Sequence, residues 1–206
     1  ITQSGGTIGS VALTGPTQVN SSITTTGTQT YTGATTLNAN TTFTTTNSAV
    51  VFGSTINSLT SNRTFTVNTG TGAAITFSGA IGSTLALASL SATSTTAINI
   101  NGGSVITTGA QTYTGPALLG ADTTLTSTTS GAISFSSTLN SASGNRNLTV
   151  NAANGNITFT GAIGGTTPLG FLTAKALVST NDISFGSTSN FNSASPITVI
   201  AGRNIS

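Results

Sequence analysis

The chain has 206 residues but only 4 Lys+Arg and 2 Asp+Glu, with no His, Cys, Met or Trp, whereas charged residues make up about 25 % of an ordinary globular domain. Such a chain lacks the clustered cations that nucleic-acid binding needs for counterion release, the thiols of a disulfide framework and the His, Cys or Glu of a metal site. No apolar run reaches the roughly 18 residues of a membrane helix, and an opening Ile1 without Met or a visible signal peptide reads as a processed product or fragment.

Thr, Ser, Asn and Gly dominate what remains, yet the apolar residues alternate strictly. The stretches TFTV at 64–67, AITFS at 74–78, AININ at 97–101 and NITFT at 156–160 carry the period-two, β-branched and aromatic pattern of strands. In chain order, TGP at 14–16 is echoed by TGA at 32–34, and Val19-NSSITTT by Leu37-NANTTFT. TTGTQTYTG at 25–33 returns as TTGAQTYTG at 107–115. The long repeat continues from there: Leu37 matches Leu119, Phe52 matches Phe135, Arg63 matches Arg146, Ile75 matches Ile157 and Leu90 matches Leu172, at shifts of 82 or 83 residues.

Within the module, Phe43, Phe65 and Leu87 recur every 22 residues, so one module reads as about four turns of 18–23 residues. The chain divides into a partial module 1–24, a module 25–106 and a module 107–206 whose C-terminal part is irregular. There FGST at 52–55 returns at 185–188, NSAS at 140–143 returns at 192–195, and Arg146-Asn-Leu-Thr is echoed by Arg203-Asn-Ile-Ser.

A beat near 20 residues with short alternating strands and Gly/Asn turns predicts an all-β chain, a right-handed parallel β-solenoid forming one continuous segment over 1–206. Stacked turns place Ile, Leu, Val and Phe over one another in a narrow core, with Thr and Ser outward and Asn at the corners bonding to the next turn. About ten turns at about 4.8 Å each give a rod of roughly 45–50 Å. A membrane barrel needs longer strands and aromatic girdles, and a sandwich leaves the 20-residue beat unexplained.

The strings GNRNLTVNA at 144–152 and GNITFTGAIG at 155–164 resemble the repeat region of filamentous-haemagglutinin-like and autotransporter-type bacterial adhesins. That resemblance covers most of the chain. It implies secretion across an outer membrane and display as a β-helical stalk at the cell surface.

Candidate polar sites are few. Asp122 and Asp182 are the only acids; sixty residues apart, with no His or Glu, they do not make a general acid–base pair. Asp122 stands where the first module has Asn40 and reads as a turn residue, while Lys175 and Asp182 are placed for a weak surface pair. The recurring Arg63, Arg146 and Arg203 read as corner residues whose stems cover the core edge and whose heads bond turn carbonyls. The calcium-binding Gly-Gly-x-Gly-x-Asp repeat is absent. Six Asn-x-Ser/Thr triplets, from Asn20 to Asn204, are what this composition gives by chance.

Thr-x-Thr rows on a solenoid face suit ice, and TTT at 24–26 and 44–46 fits, but the linear sequence shows no such register in later turns. Neither a catalytic, a cofactor nor a metal site is expected, and no enzymatic activity. The sequence predicts a structural or adhesive segment of a secreted, bacterial cell-surface fibre that self-associates end to end or laterally. The alternative is a module that binds glycan or ice through a Thr/Asn face. Nucleic acid and a membrane span are not expected partners.

Overall fold

A strand of three to five residues buries every second side chain: Thr41–Thr45 buries Thr41, Phe43 and Thr45 and turns Thr42 and Thr44 outward. Such a strand is not stable alone, and stacking solves the problem by covering each buried row with the row of the next turn. In the computed structural model, which describes residues 1–186 and 191–206, this gives an all-β parallel solenoid with three faces.

Sheet A has eight strands: Ile23–Thr25, Thr41–Thr45, Thr64–Asn68, Ser89–Thr93, Gln111–Thr114, Ile133–Phe135, Ile157–Phe159 and Ile183–Phe185. Sheet B has seven strands, from Val11–Leu13 to Leu139–Ser141. Sheet C begins with Thr17–Val19, Thr35–Leu37 and Ile56–Ser58, then passes through a bridge at Ile81 to five further strands that end at Ile197–Ala201. No helix among the described residues is long and apolar enough to cross a membrane.

The turns are longer than the sequence suggests. Val11 lies under Gln29, eighteen residues on, but Phe65 lies under Leu90, twenty-five on, and Ile157 under Ile183, twenty-six on. The extra residues sit in corners, where they add length without disturbing the buried rows. The chain therefore makes about eight turns rather than ten, and at about 4.8 Å per turn the rod is roughly 35–40 Å long. For the same reason the 22-residue beat of Phe43, Phe65 and Leu87 is a coincidence. Phe43 stacks on Val67, Phe65 stacks on Leu90, and Leu87 bridges to Thr107 on sheet C.

The 82-residue module does not close on a whole number of turns. From Gln29–Tyr31 on sheet B to Gln111–Thr114 on sheet A, counting the bridge at Ile81, the chain crosses eleven faces of a three-faced rod. One module is thus three and two-thirds turns, and its second copy is rotated by one face. The aromatic core shows this directly. Tyr31, Phe52 and Phe77 stack along sheet B with ring centroids 5.0 and 6.0 Å apart, and Phe43 and Phe65 meet them edge-on from sheet A. In the second module Tyr113, Phe135, Phe159 and Phe185 continue as a stack on sheet A, at 4.7, 5.4 and 5.5 Å. Each fully buried Phe contributes about 1.5–3 kcal/mol of burial free energy.

Corners are held by side chains that reach along the axis. The Oδ1 atoms of Asn40, Asn57, Asn140 and Asn156 accept the backbone N–H of Thr64, Thr84, Thr166 and Asp182, each one turn on, at 2.9–3.0 Å. Direct Asn–Asn contact, the expected corner device, occurs from Asn38 to Asn20 at 3.1 Å. The main arrangement is side chain to backbone because a backbone donor is left over wherever a corner interrupts the ladder. Gly82 and its module equivalent Gly164 have φ of +71° and +69°, and a Cβ there would lie 2.1 and 1.9 Å from the carbonyl oxygens of Ile106 and Asn192. The second half of the FGST echo, at 187–188, lies outside the described residues.

Candidate functional site

Each of the two acids is bonded to the following turn. Asp122 accepts the backbone N–H of Asn147 at 3.0 Å through Oδ1 and its side-chain amide at 2.8 Å through Oδ2, the bracket that Asn40 makes one module earlier. Asp182 does not pair with Lys175 as its position in the sequence suggests. Arg203 reaches it first, donating from Nε to Oδ1 at 2.8 Å and from Nη2 to Oδ2, while the Asn204 backbone N–H donates to Oδ1 at 3.2 Å. The hydrogen bond from Arg203 holds the Asp182 carboxyl below its ordinary pKa. Stacking brings Arg203 to the corner of Asp182 because it lies one turn further on, whereas Lys175 lies on the preceding strand of sheet C.

Arg63 and Arg146 are equivalent, each donating its backbone N–H to a preceding serine, Ser58 Oγ at 3.0 Å and Ser141 Oγ at 2.9 Å. Their Nε atoms are buried without an acceptor rather than bonded to turn carbonyls. Rotation of the module places Arg63 at the entry to sheet A and Arg146 at the entry to sheet C. The arginines therefore form no row. Among the described residues no group of three His, Cys, Asp or Glu side chains comes together.

The repeated TTG(T/A)QTYTG builds a feature that sequence reasoning missed. Gln29 is wholly buried, its Nε2 donating to Thr44 O at 2.9 Å, Thr25 Oγ1 at 3.2 Å and Ile23 O at 3.2 Å. Its Oε1 accepts the Tyr31 hydroxyl at 3.0 Å. Gln111 repeats the arrangement with Thr126 O, Thr107 Oγ1, Val105 O and Tyr113, at 3.0, 3.2, 3.3 and 3.0 Å. Burial raises the pKa of both tyrosines well beyond the ordinary value. The signal was the spacing Thr-x₃-Gln-x-Tyr, which puts three polar groups on the inward side of consecutive short strands.

Outside, the three faces differ. On sheet A the strand register sets Thr42, Thr66, Ser91, Thr112, Ser134, Thr158 and Ser184 in one column, a hydroxyl on each of seven successive turns. Beside it run Thr24, Thr44, Asn68, Thr93 and Thr114. The later turns thus do keep the Thr rows in register, contrary to the linear reading, because corners of unequal length hide the register until the strands are stacked. Sheet B mixes polar with apolar outward residues, Thr30, Val51, Thr76, Asn99 and Leu118. Sheet C carries Phe171 and Lys175 among its threonines.

Where three turns of sheet C end, an open groove of about 480 Å³ runs between 126–128, 151–153, Lys175 and Leu177. Its walls are mainly apolar, and Leu177 is 63 % exposed. The chain matches no protein-family profile, no curated protein and no solved structure.

Proposed function

We propose that this chain is a rod segment of a long structural fibre displayed outside a bacterial cell, with a mechanical rather than catalytic role. The observation that supports it best is the core itself: buried rows stacked turn on turn, with each turn touching its neighbours along one axis. Pulling such a rod along its axis loads many parallel backbone ladders, and almost no charge stands out from the surface to keep neighbouring rods apart. The resemblance of the 144–164 strings to bacterial adhesin repeats supports display at the cell surface.

Negative-stain imaging of the native material tests the reading. Thin rods much longer than a single segment are expected; isolated short particles at every concentration would overturn it. A second reading, recognition of a ligand by a solenoid face, is favoured by one observation, the hydroxyl columns of sheet A.

A further inference from the structure

Sheet A turns fourteen side chains outward along its eight strands, of which thirteen are Thr or Ser and the other is Asn68. A Thr-rich composition does not by itself explain this purity. Because each module is rotated by one face, the two copies of a module position sit on different sheets and act as internal controls. Val51 on sheet B corresponds to Ser134 on sheet A. Ser89 and Thr93 on sheet A correspond to Phe171 and Lys175 on sheet C. In all three pairs the copy that faces out from sheet A is the hydroxylated one. Aromatic, aliphatic and cationic residues are accepted at the same positions of the module when they point elsewhere.

We propose that sheet A binds the surface of ice, through a fixed lattice of Thr and Ser hydroxyls that orders water. This rests on the ligand-face reading alone and is independent of whether rods polymerise. The columns repeat at about 4.8 Å along the axis and the two columns stand about 6.6–6.8 Å apart along each strand. The prism faces of hexagonal ice present a rectangular mesh of water oxygens with two similar repeats. Waters held between neighbouring hydroxyls bridge two protein groups each, at little immobilisation cost when the protein groups are already fixed. The backbone ladder beneath fixes them, since from Thr42 to Thr158 each residue of the long column lies between two buried ones.

The absence of charge is part of the fit, because a strongly hydrated ammonium would hold its own water out of the lattice. The face suits other occupants poorly. Sugar sites are concave, with aromatic walls and a few convergent polar groups, and none of the fourteen outward residues is aromatic. Protein interfaces centre on Trp, Tyr or Arg anchors, and none stands among the outward residues of sheet A.

Growing ice slowly from a dilute solution of the full chain, and measuring protein in the ice and in the liquid, tests this. Wild type is expected to enrich in the ice. Thr112→Lys combined with Ser134→Lys, in the middle of the long column, is expected to be excluded from it, and Thr149→Lys on sheet C to behave as wild type. Circular dichroism checks that each variant is folded, and Thr66→Lys serves if the double variant is not. Pull-down on insoluble cellulose and chitin is run in parallel. Exclusion of wild type from ice overturns the proposal. If polysaccharide is bound instead, the ligand-face reading stands and ice is wrong; if neither binds, both fall. Enrichment that survives the Lys substitutions removes the site from sheet A.

Discussion

Replacing Gln111 by Leu tests whether the buried amide networks hold the rod together or merely fill it. The substitution keeps the side chain's approximate bulk but removes the acceptor of the Tyr113 hydroxyl and the donor to Thr126 O, Thr107 Oγ1 and Val105 O. Tyr113 is wholly buried, so its hydroxyl has no water to turn to. An orphaned buried donor costs about 1–3 kcal/mol, and the lost amide bonds add about 1 kcal/mol net, for a total of about 2–4 kcal/mol. Removing the hydroxyl as well relieves the orphan, so Gln111→Leu/Tyr113→Phe is expected to be more stable than Gln111→Leu alone by about 1–2 kcal/mol. Gln29→Leu should match Gln111→Leu closely, because the two networks have the same partners at nearly the same distances. Urea unfolding followed by far-UV circular dichroism reads all four proteins. A double variant less stable than Gln111→Leu would refute the argument that the cost comes from the stranded hydroxyl.

The buried tyrosines also set the response to alkali. Burial keeps Tyr31 and Tyr113 protonated far above the ordinary value of about 10. The unfolded chain sheds those protons from about pH 10 upward while the folded chain retains them, so stability is full below that pH and falls above it. The limiting slope is about 1.4 kcal/mol per pH unit for each tyrosine. Urea midpoints measured from pH 8 to 12 should show the fall in wild type and lose it in Tyr31→Phe/Tyr113→Phe. Gly82→Ala and Gly164→Ala put a Cβ against a carbonyl oxygen in a left-handed corner, whereas Gly144, at φ +64°, has open space. In thermal melts the first two should cost well over the roughly 1 kcal/mol of backbone strain that Gly144→Ala pays. Asp122→Asn keeps the Oδ1 acceptor that Asn40 supplies one module earlier, and the unfolding free energy read from urea titration should change by less than about 0.5 kcal/mol.

Much of this architecture was legible in the sequence because a solenoid writes its core as local alternation. TFTV at 64–67 and NITFT at 156–160 name their buried residues without any knowledge of their neighbours, and Phe65, Val67, Ile157 and Phe159 are all buried. The pairing of Val19 with Leu37, and of Thr24 with Thr44, follows from early turns of nearly constant length. Later pairings do not, because corners such as 59–63 and 69–73 vary in length without leaving a mark in the strands. The partner of Asp182 was hidden for the same reason: the neighbour that matters is one turn away, and only the turn length says which residue that is. The roles of Gln29 and Gln111 were hidden on a different ground. A polar side chain on the inward side of a strand is invisible to hydrophobic alternation, and its partners are backbone carbonyls that no residue type announces.

The fractional module has a consequence for any surface property of such a rod. Advancing three and two-thirds turns per copy moves each position to a new face, and three copies in series make eleven whole turns before a position returns to its starting face. A feature written once per module is therefore wound around the rod and gives every face the same average character. The interior tolerates this, since the stack on sheet B around Phe52 passes to sheet A around Phe135 without a break in the core. The weak rung passes likewise, Ile81 interrupting sheet C and Ile163 sheet B. A uniform face has to be made by changing the module from copy to copy, as Ser134, Ser89 and Thr93 are changed relative to Val51, Phe171 and Lys175. Simple repetition builds the rod, but it works against a flat chemical lattice. The hydroxyl columns of sheet A are for that reason better explained by what the face contacts than by how the chain was duplicated.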